Sequence, residues 1–490
     1  MKRARLPLSV AAVLILLALA ALFATSPTIP SVTKAPSARA VERPNIIFVL
    51  TDDLSMNLLP YLPHVRAMQR AGTTLSHYYV VDSLCCPSRT AIFTGQYPHD
   101  NGVFANVGRD GGYGAFLRNH DESKSFAVAL QQSGYRTGFM GKYLNGYEAA
   151  DPEPPGWDAW AAVGNGYREF DYDMNVDGTV AHFGHAPDNY LTDVLSRKAQ
   201  HFVDAATHDR RPFMLEVATF APHTPSTPAP RNATAYPGLG YPRTPAYGRV
   251  PTNPPTWLAA QRPLTPRDDV LIDAAYRKRV QSSLAVDDLI AHLQSTLEAH
   301  HLADDTYLVF SSDNGYHMGE NRLLPGKQTA FDTDIHVPLV VVGPGVPAGR
   351  TMPQLASNID LAPTFESLAG VSSLSTVDGT SLAGLWHGRT PAQWQRAVLI
   401  EHRRPGRATG DPDHQSEPSG MPPTYGAVRT ASALYVRYAD GAQEYYDTAT
   451  DPDEQRNLAA RGVPPQLVLA LAALQACHGQ QQCQAAAGLP

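Results

Sequence analysis

The chain has 490 residues, enough for roughly two to four domains or one large domain with an appendage. Apolar residues make up 43% and the formal charge is −7, which excludes a multi-span membrane protein, a disordered chain and non-specific nucleic-acid binding as the main role. Four cysteines are too few for a disulfide scaffold.

Lys2, Arg3 and Arg5 precede an apolar run from Leu6 to Ala24, and Ala38-Arg39-Ala40 fits a small-x-small cleavage site. Residues 1–40 therefore read as a secretory signal peptide, with an uncleaved N-terminal anchor as the alternative, since the run is just long enough to span. Either way the remaining chain lies outside the cytoplasmic membrane. Pro44 to Thr51 is a continuous β-rich apolar run that ends in Asp52-Asp53, the pattern of a strand buried on both faces. Helices are predicted over 62–71 and 124–133, and strands over 135–144 and 212–221. The second of these strands runs into Pro222-His223-Thr224-Pro225. A proline- and aromatic-rich segment follows to about residue 266, a loop length that is usually functional. Further on, a helix is predicted over 273–300, strands over 306–311 and 337–342, and a helix over 361–369. The 306–311 strand leads into Ser312-Asp313-Asn314-Gly315.

Strands alternating with helices predict an α/β sandwich around a mostly parallel sheet, with functional groups at the carboxyl ends of the strands. Beyond about residue 390 the texture changes to short strands at 398–401, 425–430, 433–438 and 443–447 and a terminal helix at 467–475. The expected division is a catalytic domain over 41–390 and a small C-terminal α+β subdomain with an antiparallel sheet over 391–490. The Gly/Pro/Asp-rich stretch 403–423 reads as a surface loop. In an oxidising compartment Cys477 and Cys483 are expected to pair, closing a short loop.

Adjacent carboxylates at the end of a buried strand repel one another unless a cation lies between them. Asp52 and Asp53, with Asp313 and Asn314 at a second strand end, thus predict an oxygen-ligated metal, of Ca²⁺ or Mg²⁺ type. Helix caps and turn residues are the alternative for each pair taken alone. Cys85-Cys86-Pro87-Ser88-Arg89 places a cysteine where a helix begins, a position that favours an anion and suits a thiolate nucleophile. Against that, a thiolate beside two aspartates is electrostatically strained, and the stretch is not a phosphate-cradling Cys-x5-Arg loop.

Cys85-x-Pro87-Ser88-Arg89 followed by Thr94-Gly95 resembles the signature of type I sulfatases. Asp52-Asp53, Gly141-Lys142, Pro222-His223, Asp313-Asn314-Gly315, Gly326-Lys327 and the tail from Tyr446-Asp447 to Asn457-Leu458 fall in that family's order. The resemblance spans about residues 44–459. It implies an alkaline-phosphatase-like fold and conversion of Cys85 to Cα-formylglycine by a formylglycine-generating enzyme. It also implies one divalent ion, usually Ca²⁺ with Mg²⁺ as the alternative, held by Asp52, Asp53, Asp313, Asn314 and the modified Cys85. The hydrated aldehyde then attacks sulfur, and its second hydroxyl lets the aldehyde re-form as sulfate leaves, which a serine could not do. Arg89 would hold the hydrate, Lys142 and Lys327 would contact sulfuryl oxygens, and His223 would protonate the leaving oxygen.

One departure stands out. Many sulfatases carry Gly-Lys-Trp-His, whereas this chain reads Gly141-Lys142-Tyr143-Leu144. That variant, with the Cys85-Cys86 doublet and Asp313-Asn314-Gly315-Tyr316-His317, resembles the glucosamine-6-sulfatase and arylsulfatase subgroup. His317 is the candidate substitute for the missing histidine, with a substrate contact and a structural histidine as alternatives. Trp157, Trp160, Tyr236 and Tyr241 either stack on substrate or pack their loops. The implied function is a secreted sulfuric-ester hydrolase acting on a carbohydrate or aryl sulfate. A phosphonate or phosphate monoester hydrolase on the same scaffold and an inactive sulfated-glycan-binding protein are the alternatives. No nucleic-acid partner is expected, and a membrane only if the leader is retained.

Overall fold

The computed structural model describes residues 43–404, 411 and 413–489. The leader expected over residues 1–40 lies outside them. Residues 40–490 form one compact unit. Its strands are β1 (Asn45–Thr51), β2 (Thr73–Tyr79), β3 (Arg136–Lys142), β4 (Ala159–Val163), β5 (Tyr172–Val176), β6 (Thr179–Phe183), β7 (Phe213–Ala218), β8 (Thr306–Ser312), β9 (Leu339–Val342) and β10 (Arg350–Ser357), followed by β11 (Ala397–His402), β12 (Tyr425–Thr430), β13 (Ala433–Tyr438) and β14 (Gln443–Asp447).

The first ten strands make one sheet in the order β10-β2-β9-β8-β1-β7-β3-β4-β5-β6, and the last four an antiparallel sheet. In the large sheet β8, β1, β7, β3 and β4 are mutually parallel, while β9, β5 and β6 pair antiparallel with their neighbours. This mostly parallel sheet with helices on both faces, joined to a small antiparallel sheet, is the alkaline-phosphatase-like α/β sandwich expected from the resemblance. Side chains of β1 alternate between two cores, as a pleated strand buried on both faces requires. Ile46, Phe48 and Leu50 join Phe126, Leu130 and Phe365 on one side, whereas Ile47 and Val49 join Met68, Leu195 and Leu289 on the other.

The longest helix, Pro266–Ala299, starts earlier than predicted. Proline occupies its first turn, and Thr265 and Asp268 close a capping box, a start signal that does not depend on apolar periodicity. β2, β10 and the β4–β6 edge fall outside the predicted strands. β6 is largely exposed and β2 interrupts its apolar residues with Thr74, Ser76 and His77, so neither shows a continuous apolar run. The 223–266 segment is irregular but pinned to the body by bridges Tyr247↔Glu320 and Thr252↔Arg456. Cys477 and Cys483 form the predicted disulfide. Among the described residues, no helix is long and apolar enough to cross a membrane.

Candidate active site

The four central strands β8, β1, β7 and β3 are neighbours and point the same way. Their carboxyl ends therefore deliver Asp313-Asn314, Asp52-Asp53, the turn to His223, and Lys142 to one place. Register fixes the alignment: Thr51 faces Ser312, and Ala218 faces both Leu50 and Gly141. Gly141 has φ +112°, and a Cβ there would lie 1.8 Å from the Ala218 carbonyl. Only glycine lets β3 approach β7 this closely just before Lys142. Asp53 adopts φ +66°, a left-handed conformation that costs a non-glycine residue about 1 kcal/mol or more. It is held there by its own N–H donating to Asp313 Oδ1 (3.1 Å) and by Arg279, which donates to its carbonyl.

Cys85 opens the helix Cys85–Thr94, every residue of which is buried. Lys327 Nζ lies 2.8 Å from Cys85 Sγ and 2.7 Å from Asp53 Oδ1, and Asp52 Oδ1 is 3.2 Å from the same sulfur. Lys142 Nζ donates to Asp52 Oδ2 at 2.5 Å. One turn along the helix, Arg89 donates from Nε to Asp313 Oδ2 (2.7 Å) and from Nη1 to the Lys142 carbonyl (2.7 Å). His223 faces the cluster from the loop after β7, with Nε2 at 3.7 Å from Asp53 Oδ2. Its ring lies 4.6 Å from that of Tyr167, and Lys142 Nζ lies 5.1 Å from the same Tyr167 ring. All of these catalytic and metal candidates except His317 thus meet in one buried cluster.

The electrostatics argue against a thiolate. Burial pushes the Cys85 thiol well up, Asp413 and Asp52 push it further, and Lys142 and Lys327 only partly oppose them. Burial disfavours charged Lys142 and Lys327, but the surrounding carboxylates outweigh it and hold both ammonium groups protonated. His223 is likewise raised: burial lowers it, but Asp413, Asp53 and Asp52 together win.

The cluster fits a divalent cation. Ligand atoms of Asp52, Asp53, Cys85 and His223 all lie within 4.8 Å of one another. Asp53 Oδ2 and Asn314 Oδ1 are buried without a hydrogen-bond partner among the described residues. Two orphaned oxygens, on strand ends already joined by a bond from Asn314 Nδ2 to Asp53 Oδ1 (2.7 Å), are what an oxygen-ligated ion would satisfy.

His317 does not join the cluster. Its Nδ1 is 3.0 Å from both oxygens of Asp334 and its Nε2 is 3.0 Å from the Ser419 carbonyl. Its backbone bridges Gly326, so it positions the loop that leads to Lys327 instead of reaching the cluster. Leu144, where many sulfatases have histidine, is buried in the core. Trp157 and Trp160 pack with Phe139 in the same core, and Tyr241 donates to Glu320 at 2.6 Å. Trp157 and Tyr241 pack their loops and Trp160 belongs to β4, while Tyr236 is exposed.

Asp413 and Asn106 escaped the sequence reading. The 403–423 stretch was expected on the surface, yet Asp413 is buried. It accepts from His223 Nε2 (2.6 Å), Lys327 Nζ (3.0 Å) and Asn106 Nδ2 (2.8 Å), and it lies 3.4 Å from Cys85 Sγ. Asn106 also accepts from the Cys86 N–H at 2.9 Å, which ties Asp413 to the cysteine-bearing helix. The only hint in the sequence is a carboxylate pair, Asp411-Pro412-Asp413, in a stretch without periodicity.

Comparison with known proteins agrees with this geometry. The family model "Sulfatase" matches residues 44–371, and the model "N-sulphoglucosamine sulphohydrolase, C-terminal" matches 319–474. The second match takes in Asp413, and the first takes in every other residue of the cluster. Human N-acetylglucosamine-6-sulfatase is 34% identical over 90% of this chain and 86% of that protein. Two solved structures share the fold at lower identity. One is an enzyme in complex with its substrate D-glucosamine-2-N,6-O-disulfate (TM-score 0.73, 24% identity, 90% of this chain and 98% of that one). The other is a phosphonate monoester hydrolase from Silicibacter pomeroyi (TM-score 0.66, 21% identity, 88% and 94%). With the cysteine signature, the strand-end carboxylates and both lysines in place, and with similarity that runs along nearly the whole described chain, this chain belongs to the sulfatase family and is a sulfuric-ester hydrolase.

Proposed function

We propose that the substrate is a 6-O-sulfated glucosamine unit of a glycan, cleaved outside the cytoplasmic membrane. The substrate class rests on the similarity to human N-acetylglucosamine-6-sulfatase. The compartment is supported by the Cys477–Cys483 disulfide. Asp52, Asp53, Asp313 and Asn314, with Cys85 as formylglycine, are the proposed ligands of one Ca²⁺, with Mg²⁺ as the alternative hard cation. When bound, the ion and the aldehyde supply a Lewis acid and a hydrated carbonyl as nucleophile.

The chain's own residues do the rest. Lys142 and Lys327 keep their protons in the buried cluster and meet the negative charge of the sulfuryl oxygens. Both are already anchored by aspartates, so little reorganisation is needed during the reaction. Arg89 holds the helix that carries Cys85 against Asp313 and the end of β3. His223 carries a proton at Nε2, and we assign to it protonation of the leaving sugar oxygen, since a poor leaving group needs a general acid. In this structure Asp413 accepts the bonds from His223 and Lys327 that a sulfate ester would accept. Substrate entry therefore parts Asp413 from both.

The observation that carries this reading is the convergence of two lysines, a protonated histidine and orphaned carboxylate and amide oxygens around a buried, non-ionised cysteine. The test is sulfate or phosphonate release by the secreted enzyme from N-acetylglucosamine-6-sulfate, an aryl sulfate and an aryl phosphonate. Highest kcat/KM on the sugar sulfate is expected. Preference for the phosphonate would move the chain to the alternative chemistry.

A further inference from the structure

A second group of metal-type ligands lies away from the cysteine cluster, where the C-terminal disulfide loop meets the short helix Pro98–Asn101. His99 and Asp100 belong to that helix, and His478 lies in the loop closed by Cys477 and Cys483. Ligand atoms of His99, Asp100 and His478 lie within 4.8 Å of one another. We propose that these three side chains bind a divalent transition cation of the Zn²⁺ class, which fastens the C-terminal segment to the catalytic body.

Four features of the geometry support this. The donor set of two imidazoles and one carboxylate suits Zn²⁺ better than Ca²⁺ or Mg²⁺, which take oxygen almost exclusively. The ring of His99 is already oriented by a second carboxylate: its Nδ1 is 2.7 Å from Glu401 Oε2. That is the carboxylate–histidine arrangement that fixes the tautomer of a metal-binding imidazole and leaves Nε2 for the ion. In the structure Nε2 is 2.9 Å from the Cys477 carbonyl, and on metal binding Nε2 loses its proton to solvent and gives up that contact. Third, His478 already bonds Asp100 through Nδ1, and the His99 and His478 rings lie 5.7 Å apart at 70°, so two donors of the set touch before any ion enters. Fourth, Asp378 ties the two segments together. Its Oδ1 accepts from the Gly479 N–H and its Oδ2 from the Tyr97 N–H, both at 2.8 Å. It thereby clamps the residue after His478 and the residue before Pro98 on one carboxylate.

His478 is 66% exposed, so its removal leaves the core intact. The test titrates Zn²⁺ into the full secreted enzyme, with Ca²⁺ kept in the buffer, by calorimetry and thermal melting. The wild type should bind one equivalent more than His478→Ala, and Zn²⁺ should raise the melting temperature of the wild type alone. Glu401→Gln should weaken that equivalent by roughly 10- to 100-fold while leaving the ligands in place. Asp100→Asn gives a second ligand variant should His478→Ala alter the tail. Equal Zn²⁺ binding by wild type and His478→Ala, or no Zn²⁺ uptake by the wild type, would overturn the proposal. Turnover of a sulfate ester by His478→Ala should match the wild type, because no residue of this group touches the cysteine cluster.

Discussion

Asp53 and Asp413 are both buried carboxylates bonded to Lys327, yet the chain holds them in opposite ways. Asp53 follows β1, whose backbone is paired on both sides, and its N–H and carbonyl are fixed by Asp313 and Arg279. Asp413 belongs to no strand or helix. Its side chain meets the pocket only through bonds to His223, Lys327, Asn106 and the Cys85 thiol. The difference separates a shelf, built into the sheet and unable to move without breaking ladders, from a counter-charge that can leave when a competing anion arrives. The shelf should govern the rate of the chemical step, and the counter-charge should govern access to it.

The largest effect should come from the shelf. Cys85→Ala removes the precursor of the nucleophile and should lower kcat by roughly four to six orders of magnitude, in the range seen when other hydrolases lose theirs. Its melting temperature should stay near that of the wild type. Next, His223→Gln should lower kcat by roughly 10²–10⁴-fold on the sugar sulfate and much less on an aryl sulfate with an acidic phenol. A uniform loss on both substrates would assign His223 to binding instead of proton transfer.

The counter-charge should show the opposite signature. Asp413→Asn keeps the shape and removes the charge, so KM should fall by roughly tenfold, the scale of one charged hydrogen bond, with kcat changed less. A collapse of kcat with KM unchanged would mean that Asp413 works on the reacting groups and is not displaced.

A last effect, on stability and not on turnover, lies under the shelf, at Glu216 in β7. Its two oxygens have no hydrogen-bond partner among the described residues. Burial raises its carboxyl from 4.5 to about 8, with Arg89 opposing. The folded protein therefore holds a proton that the unfolded chain releases above about pH 4.5. The stability this confers is complete below that pH and is lost progressively as pH rises to about 8. Glu216→Gln should gain on the wild type over this window by up to about 1.4 kcal/mol per pH unit, read from denaturant melts at pH 5 and pH 8. Parallel pH profiles would show that Glu216 is ionised in the folded protein.

How much of this was legible in the sequence follows the same division. β1 and β8 are buried on both faces and appear as unbroken apolar runs, β7 appears as one interrupted only by the buried Glu216, and the polar residues just after such a run are the shelf. The outer strands were hidden because polar residues interrupt them or because they are exposed, as in β2 and β6. The antiparallel β11–β14 sheet was readable from its short strands, with short turns from β12 to β14, since its strands pair with sequence neighbours. Asp413 was hidden because a long-range ion pair leaves no periodic trace. His317 misled for a related reason. It stands three residues beyond Asn314, but its ring is bonded to Asp334 and the Ser419 carbonyl, and nearness in sequence after a strand end says little about where a ring points. Lys142, by contrast, was identifiable from its place at a strand end and from the Gly141-Lys142 pair in the family's order, and the structure adds that the sheet needs that glycine for the close approach of β3 to β7.

The central claim is that Cys85 acts as a formylglycine on a sheet-built shelf and not as a thiol. It is tested most directly by the mass of the tryptic peptide containing Cys85, taken from enzyme secreted by its own host and assayed on N-acetylglucosamine-6-sulfate. The account predicts the aldehyde mass, with sulfate release proportional to the modified fraction. Full activity from protein that carries only the unmodified thiol would contradict it.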